Sequence, residues 1–252
     1  FHIWMILIMS KVMEEVTILA KSRQDLKTRH EELIVEHSPK SPVSEAYRNL
    51  RTNLSFLRPD KPLTKIAVTS SGPKEGKSLT VANLAISMAH NEQDILIIDA
   101  DLRKPMQHKF YDLPNYEGLS NILTGELEFD QAVQETDIER LSVISTGFIP
   151  PNPAELLSSH RMEEVIEEAE EKFDFVMIDT PPIIAVTDAA ILGKNLDGVL
   201  LVVASHQTES AMLEKSTDKL NKANVDLIGT VLNKHPVKDG AGYDTYYYYY
   251  GD

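Results

Sequence analysis

"KIAVTSSGPKEGKSLTVANLA", residues 65–85, passes from a β-rich run through a turn of serine, glycine and proline into a stretch with helical spacing. That order of strand, turn and helix is the context in which a backbone loop wraps phosphate oxygens with its N–H groups. The loop comprises Ser71, Gly72, Pro73, Lys74, Glu75, Gly76, Lys77, Ser78 and Leu79. Gly76 permits close approach of an anion, Lys77 places a cation on the β and γ phosphates, and Ser78 offers a hydroxyl to Mg²⁺. The following helix adds its positive N-terminal end. One residue departs from the usual pattern: a glycine is customary at the position held by Ser71. A small side chain still fits there.

Outward from this stretch the pattern repeats. "DILIIDAD", "LSVIST", "FDFVMIDT", "DGVLLVVA" and "VDLIGTVLN" are short runs, apolar on both sides, as expected of strands covered on both faces of a parallel sheet. Helices fit between most of them, over residues 78–90, 153–172 and 209–223. In the second, Asn152 is placed to cap, Pro153 takes the first helical position and Glu155 lies in the first turn. Alternating strand and helix predicts an α/β fold with a doubly wound, mostly parallel sheet flanked by helices, and with the phosphate-loop segment above it resembles the P-loop NTPases of MinD- and ParA-like type.

Two strand ends carry acids. In "ILIIDADLRKP", Asp99 and Asp101 share a side because alternate strand residues face the same way, and in "FDFVMIDTPP" the strand closes on Asp179. All three point to the C-terminal edge, where phosphate and metal would lie. Hard Mg²⁺ prefers oxygen ligands and keeps several waters, so Ser78, the phosphates and a few of these acids suffice. One of Asp99 and Asp101 is read as the acceptor of a nucleophile's proton and the other as metal support, with Asp99 favoured by its place nearest the strand. Arg103 and Lys104 either bind an acidic segment or are solvated loop charge. Asn233, closing "GTVLNK", either reads an adenine edge or turns the chain.

Composition narrows the alternatives. The 252 residues carry 39 acidic against 25 basic side chains, and the formal net charge of -14 opposes nucleic acid as a partner. No cysteine is present, which removes disulfides, thiolate metal sites and thiol catalysis together.

The two ends differ from the middle. "FHIWMILIM", residues 1–9, is apolar but shorter than the roughly 20 residues of a spanning helix. It reads as a foreign leader, a docking segment or the stub of a membrane anchor. A lone helix over residues 10–36 and a linker "EHSPKSP" follow. Ser44 then precedes "EAYRNLRTNLSFL", an amphipathic helix in which Ala46, Leu50, Leu54 and Leu57 form an apolar face opposite Arg48 and Arg51. At the other end stands "AGYDTYYYYYGD", holding six of the nine tyrosines: Tyr243, Tyr246, Tyr247, Tyr248, Tyr249 and Tyr250. Five identical neighbours cannot all face one core, so the run reads as a tail. Three parts result: an N-terminal extension (1–37), a domain (38–236) that includes a helix at 44–57, and a tyrosine-rich tail (237–252).

The motifs "SSGPKEGKS", "ILIIDADLRKP" and "FVMIDTPP", followed by that tail, resemble the bacterial tyrosine kinases (BY-kinases) of capsule and exopolysaccharide synthesis, from about Ser38 to the end. The resemblance implies an ATP- and Mg²⁺-dependent autokinase in which Lys77 and Ser78 bind the nucleotide and metal and Asp99, Asp101 and Asp179 are the three acids. It implies phosphorylation of the tail between subunits of a homo-oligomeric ring. A family helix of pattern Glu-x-x-Arg-x-x-Arg, here Glu45, Arg48 and Arg51, would pack on the neighbouring subunit. It further implies a membrane adaptor that activates the kinase, a cognate tyrosine phosphatase, and a cytoplasmic site at the inner face of the plasma membrane. The alternatives are a ParA- or MinD-like positioning ATPase and a nucleotide-gated, non-catalytic scaffold. A signature lysine of the positioning ATPases is missing, since Gly72 stands in its place.

Overall fold

A computed structural model describes residues 29–236. The apolar N-terminal run and the tyrosine tail lie outside the described residues.

Seven strands form one sheet: β1 (Lys65–Ser70), β2 (Ile95–Asp99), β3 (Val133–Glu135), β4 (Leu141–Ile144), β5 (Phe175–Asp179), β6 (Gly198–Ala204) and β7 (Leu227–Asn233). Their order is β3-β4-β2-β5-β1-β6-β7, with every pairing parallel except β3 against β4. Each strand expected from the apolar runs is present. The three-residue β3 is too short to show a period, and sequence reading missed it.

Period-2 alternation sorts the strand side chains into two cores. Ile66, Val68, Ile95, Ile97 and Met177 join one apolar cluster, while Ala67, Leu96, Ile98, Val176 and Ile178 join another on the opposite face. Four long helices cover the two faces: α1 (Pro42–Phe56), α2 (Lys77–Ala89), α3 (His160–Lys172) and α4 (Ser210–Lys222). Leu84 and Ile86 of α2, with Leu54 of α1 outside them, belong to the first cluster; Val165 and Ile166 of α3 and Leu220 of α4 belong to the second. α2 lies between sheet and α1, which explains why its residues from Thr80 to Ala89 are buried all round.

Several local expectations are corrected. The 153–172 stretch is two helices, Pro153–Leu157 and α3, separated at Ser158 and Ser159, whose hydroxyls donate to the carbonyls of Glu155 and Leu156. Asn152 does not cap with its side chain, which turns instead to Glu155. α1 starts at Pro42 with Ser41 as its cap, the Ser41 hydroxyl accepting from the Ser44 N–H at 3.1 Å. Ser44 is therefore a buried first-turn residue, and the linker is shorter than expected. Upstream, Ile34–His37 forms one helical turn. Leu33 and Val35 are fully covered, and the Val35 N–H donates to Asn83 Oδ1 of α2 at 3.0 Å. Domain packing thus reaches back to Leu33, before the boundary expected at residue 38. None of the helices in the described residues is long and apolar enough to cross a membrane.

Candidate active site

β1 runs straight into the loop that begins at Ser71, and α2 leaves it at Lys77. β5 and β2 lie beside β1 on one side and β6 and β7 on the other, so the loop sits at the C-terminal edge over the centre of the sheet. Gly76 has a φ of +95°, a conformation that side chains resist. A Cβ there would stand 2.1 Å from Asn233 Nδ2. Lys74, at φ 63°, is also left-handed, and the loop folds back over itself between the two.

On the acid flank the Lys77 ammonium is 2.9 Å from Asp179 Oδ1, 3.1 Å from Asp101 Oδ2 and 3.1 Å from the Ser78 hydroxyl. Burial pulls the Lys77 pKa down, but the charges of Asp179 and Asp101, the hydrogen bond to Asp179 and the charge of Asp99 outweigh it, leaving the pKa above that of ordinary lysine. Lys77 stays charged and gathers the oxygen groups expected to serve the metal.

Asp99 is differently placed. Its Oδ2 accepts from the backbone N–H groups of Met106 and Gln107, both at 2.9 Å, and its Oδ1 from the Asp101 N–H at 3.3 Å. It is fully covered, and burial with the nearby Asp179 charge pushes its carboxyl up to about 7, against the lowering effect of the Gln107 N–H, Lys77 and the Met106 N–H. Asp99 and Asp101 do not act as a matched pair: one is sealed beneath a backbone turn, the other faces the loop lysine.

Gln107, which sequence reading passed over, completes this flank. Its side-chain amide donates to Asp179 Oδ2 at 2.7 Å and to the Ser78 carbonyl at 3.1 Å. Asp188 was missed too. Its side chain is fully covered with Arg103 as its ion partner at 3.5 Å, and burial raises its pKa against that partner's pull. Arg103 is therefore not free loop charge. The Lys104 backbone N–H bonds Asp101 Oδ1 at 3.1 Å.

The opposite flank holds the loop by its backbone. Asn233 Nδ2 donates to the Glu75 carbonyl at 2.9 Å, and Asn233 Oδ1 accepts from the Lys234 N–H. The Thr208 hydroxyl donates to Glu75 Oε1 at 2.6 Å, and Lys234 Nζ reaches the Lys74 carbonyl. Asn233 thus anchors the chain at the loop through one amide hydrogen and its oxygen.

The residues fit a magnesium nucleotide. The Ser71 hydroxyl is buried without a partner at the start of the loop, the first-turn N–H groups of α2 lack intrahelical acceptors, and the donors nearby are hard oxygens. Among the described residues no group of three or more His, Cys, Asp or Glu is arranged to hold a metal by itself. That suits Mg²⁺, which takes most of its shell from phosphate and water.

Of the expected interface residues, Glu45 and Arg48 pair with each other at 2.6 Å, and Arg51 Nη1 donates to the Ser87 carbonyl at the end of α2 at 2.6 Å. Within one chain the three do not form a single free stripe. Of the expected apolar face, Leu50 and Leu54 pack inward while Ala46 and Leu57 are exposed, and Ser44 and Tyr47 join the buried side.

Fold and loop together define a P-loop nucleotide-binding α/β domain. The AAA domain family model matches residues 63–227. The MinD septum site-determining protein of Pyrococcus horikoshii, solved with Mg-ADP, shares the fold at TM-score 0.59 and 22% identity over 70% of this chain and 72% of that one. The tyrosine-protein kinase YwqD of Bacillus subtilis is 42% identical over 85% of this chain and 90% of its own length. The kinase domain of Escherichia coli tyrosine kinase ETK superposes at TM-score 0.79 with 33% identity, covering 84% of this chain and 83% of that one. The chain belongs to the bacterial tyrosine kinase family.

Proposed function

We propose that this protein is an ATP- and Mg²⁺-dependent tyrosine kinase that phosphorylates its own tyrosine-rich tail between subunits and thereby regulates capsule or exopolysaccharide synthesis. The observation that carries the reading is Lys77 held between Asp179 and Asp101 at the phosphate loop of a chain ending in six closely spaced tyrosines.

Phosphoryl transfer demands positioning and charge neutralisation more than covalent chemistry by the protein. Mg²⁺, once bound with ATP, neutralises phosphate charge. Ser78, with Asp101 and Asp179, would hold it through the hydroxyl and through water. Lys77 would leave its carboxylates for the β and γ phosphates, and the loop N–H groups of Gly72 and of Lys74 to Leu79 would cradle the same oxygens. Asp99 has the pKa suited to receiving a phenol proton near neutral pH, and because it is sealed beneath the turn that carries Met106 and Gln107, that turn would have to open for a phenol to reach it.

The tail leaves β7 at Asn233, so Tyr243 and Tyr250 follow ten and seventeen residues later. At about 3.4 Å per extended residue these reach roughly 34 and 58 Å. Four strand spacings of about 4.8 Å separate β7 from β2, so the tail can pass beyond its own site to an adjacent one. Glu45, Arg48 and Arg51 would exchange their internal partners for a neighbour's in a ring. Each added phosphate brings about -1.5 to -2 charges to a protein already at -14, which favours dissociation of that ring. A membrane adaptor as activator, a cognate phosphatase and a place at the inner membrane face complete the reading.

Intact mass after incubation with Mg²⁺-ATP, beside Lys77→Met, tests it. Successive phosphate additions, mapped by digestion to Tyr243 and Tyr246 through Tyr250 and missing in the variant, are expected. Release of inorganic phosphate without any addition would replace the reading with a positioning ATPase.

A further inference from the structure

Gln107 occupies the first position of the one-turn helix Gln107–Phe110, which follows the "DADLRKP" loop. An amide so fully covered needs partners, because a buried polar group without one costs about 1–3 kcal/mol. Its partners are all at the candidate site. The side-chain NH₂ donates to Asp179 Oδ2 and to the carbonyl of Ser78, and the backbone N–H donates to Asp99 Oδ2. The side-chain oxygen is buried with no protein partner. One residue thus joins the acid closing β5, the acid closing β2 and the first turn of α2.

The division of Asp179 matters most. Its Oδ1 is taken by Lys77 and its Oδ2 by Gln107. When Lys77 turns to phosphate, Oδ1 is released while Oδ2 remains tied, so the carboxylate keeps its plane and direction. A freed carboxylate with no second tether would rotate, and an acid that serves a metal loses affinity when its outer partners are removed.

We infer that Gln107 is a positioning residue that holds Asp179 ready for Mg²⁺ and, through its backbone, ties that acid to Asp99. The inference rests on the assignment of Asp179 to the metal side of the site. It separates Gln107 from residues that merely fill the core, because its loss should be felt in metal affinity and not in nucleotide affinity without metal.

The test is equilibrium binding of a fluorescent ATP analogue to the full chain, with Mg²⁺ titrated in, for the unchanged protein, Gln107→Met and Asp179→Ala. Methionine keeps the length and volume and removes the donor. Gln107→Met is expected to raise the Mg²⁺ midpoint about ten-fold, the lower end for loss of an outer-shell partner. Its affinity for the analogue in excess chelator should stay within about two-fold, and its melt should remain cooperative. An unchanged Mg²⁺ midpoint in folded Gln107→Met, with Asp179→Ala shifted, overturns the inference alone. An unchanged midpoint in Asp179→Ala overturns the metal assignment beneath it. If Gln107→Met does not fold, Gln107→Asn keeps a buried amide but falls one methylene short of Asp179, and it carries the same expectation and the same overturning result.

Discussion

The two flanks of the phosphate loop are built from opposite materials. On the β2–β5 side, charged groups are buried against one another: Lys77 with Asp179 and Asp101, and Asp99 beneath its backbone N–H bonds. On the β6–β7 side, Thr208, Asn233 and Lys234 grip Glu75 and the loop carbonyls. Burying charge is expensive, and removing one partner leaves the rest uncompensated. A clasp of hydrogen bonds, to two loop carbonyls and to the Glu75 carboxylate, sets shape at about 1 kcal/mol each. The acid flank is therefore where chemistry changes with a single atom, and the clasp flank is where loop geometry is held.

The largest effect should come from Lys77→Met, which removes the cation shared by two acids and the phosphates. Phosphate incorporation should fall by about 10³-fold or more, measured by radiolabel from ATP. Asp179→Asn should follow at roughly 10²-fold in the same assay, since the amide keeps size and loses charge. If these two variants retained activity while clasp variants lost it, the contrast between flanks would be reversed.

The clasp flank is tested by Gly76→Ala. Its Cβ would meet Asn233 Nδ2 at 2.1 Å while the backbone keeps a φ of +95°, so a loss of about 2 kcal/mol or more is expected in denaturant melts. Part of that loss should vanish when the same change is made in an Asn233→Ala background, because only the collision is relieved. Strict additivity would mean that Asn233 does not press on the loop. Thr208→Val should cost about 1–2 kcal/mol by taking the hydrogen bond from the buried Glu75 carboxylate. Its transfer rate at saturating ATP should stay near that of the parent.

The acid side is sharpened further through pH. Asp99 titrates at about 7 in the folded chain against 3.8 ordinarily, so between those values the folded chain keeps a proton that the unfolded chain has released. Its contribution favours folding at low pH and is lost as pH rises through about 7. Nucleotide-free melts of Asp99→Asn should therefore gain on the parent from about pH 5 to about pH 7 and run parallel above it. A constant difference across that range would show that Asp99 is ionised throughout.

The contrast between flanks also explains what could be read from the chain. Strands β2, β5 and β6 announce themselves because both faces are covered and the runs are apolar almost without interruption, and β1, β4 and the edge strand β7 follow from shorter apolar runs of the same kind. Lys77 stands out because it follows the Gly76 turn after β1, and Asp99, Asp101 and Asp179 stand out as charge at the ends of apolar strands. Gln107, Thr208 and Lys234 are ordinary residues whose meaning arises only when distant segments meet; Thr208 reaches Glu75 across 133 positions of sequence. The Gln107 side chain bonds Asp179 across 72 positions, and no local pattern marks it. The helix break at Ser158 and Ser159 was visible as two serines, but the helical spacing on either side concealed it. Within one chain Glu45 and Arg48 pair with each other and Arg51 donates to the carbonyl of Ser87 on the neighbouring helix, partners that sequence spacing does not reveal.

The most direct test mixes two forms of the chain. One carries Lys77→Met with an intact tail and a heavy-isotope label; the other keeps Lys77 but has its six C-terminal tyrosines changed to phenylalanine. After incubation with Mg²⁺-ATP, the predicted result is phosphate on the tail tyrosines of the labelled, inactive chain. That chain unmodified, beside an otherwise identical Lys77 form with its tyrosines intact that does become phosphorylated, would contradict transfer between subunits.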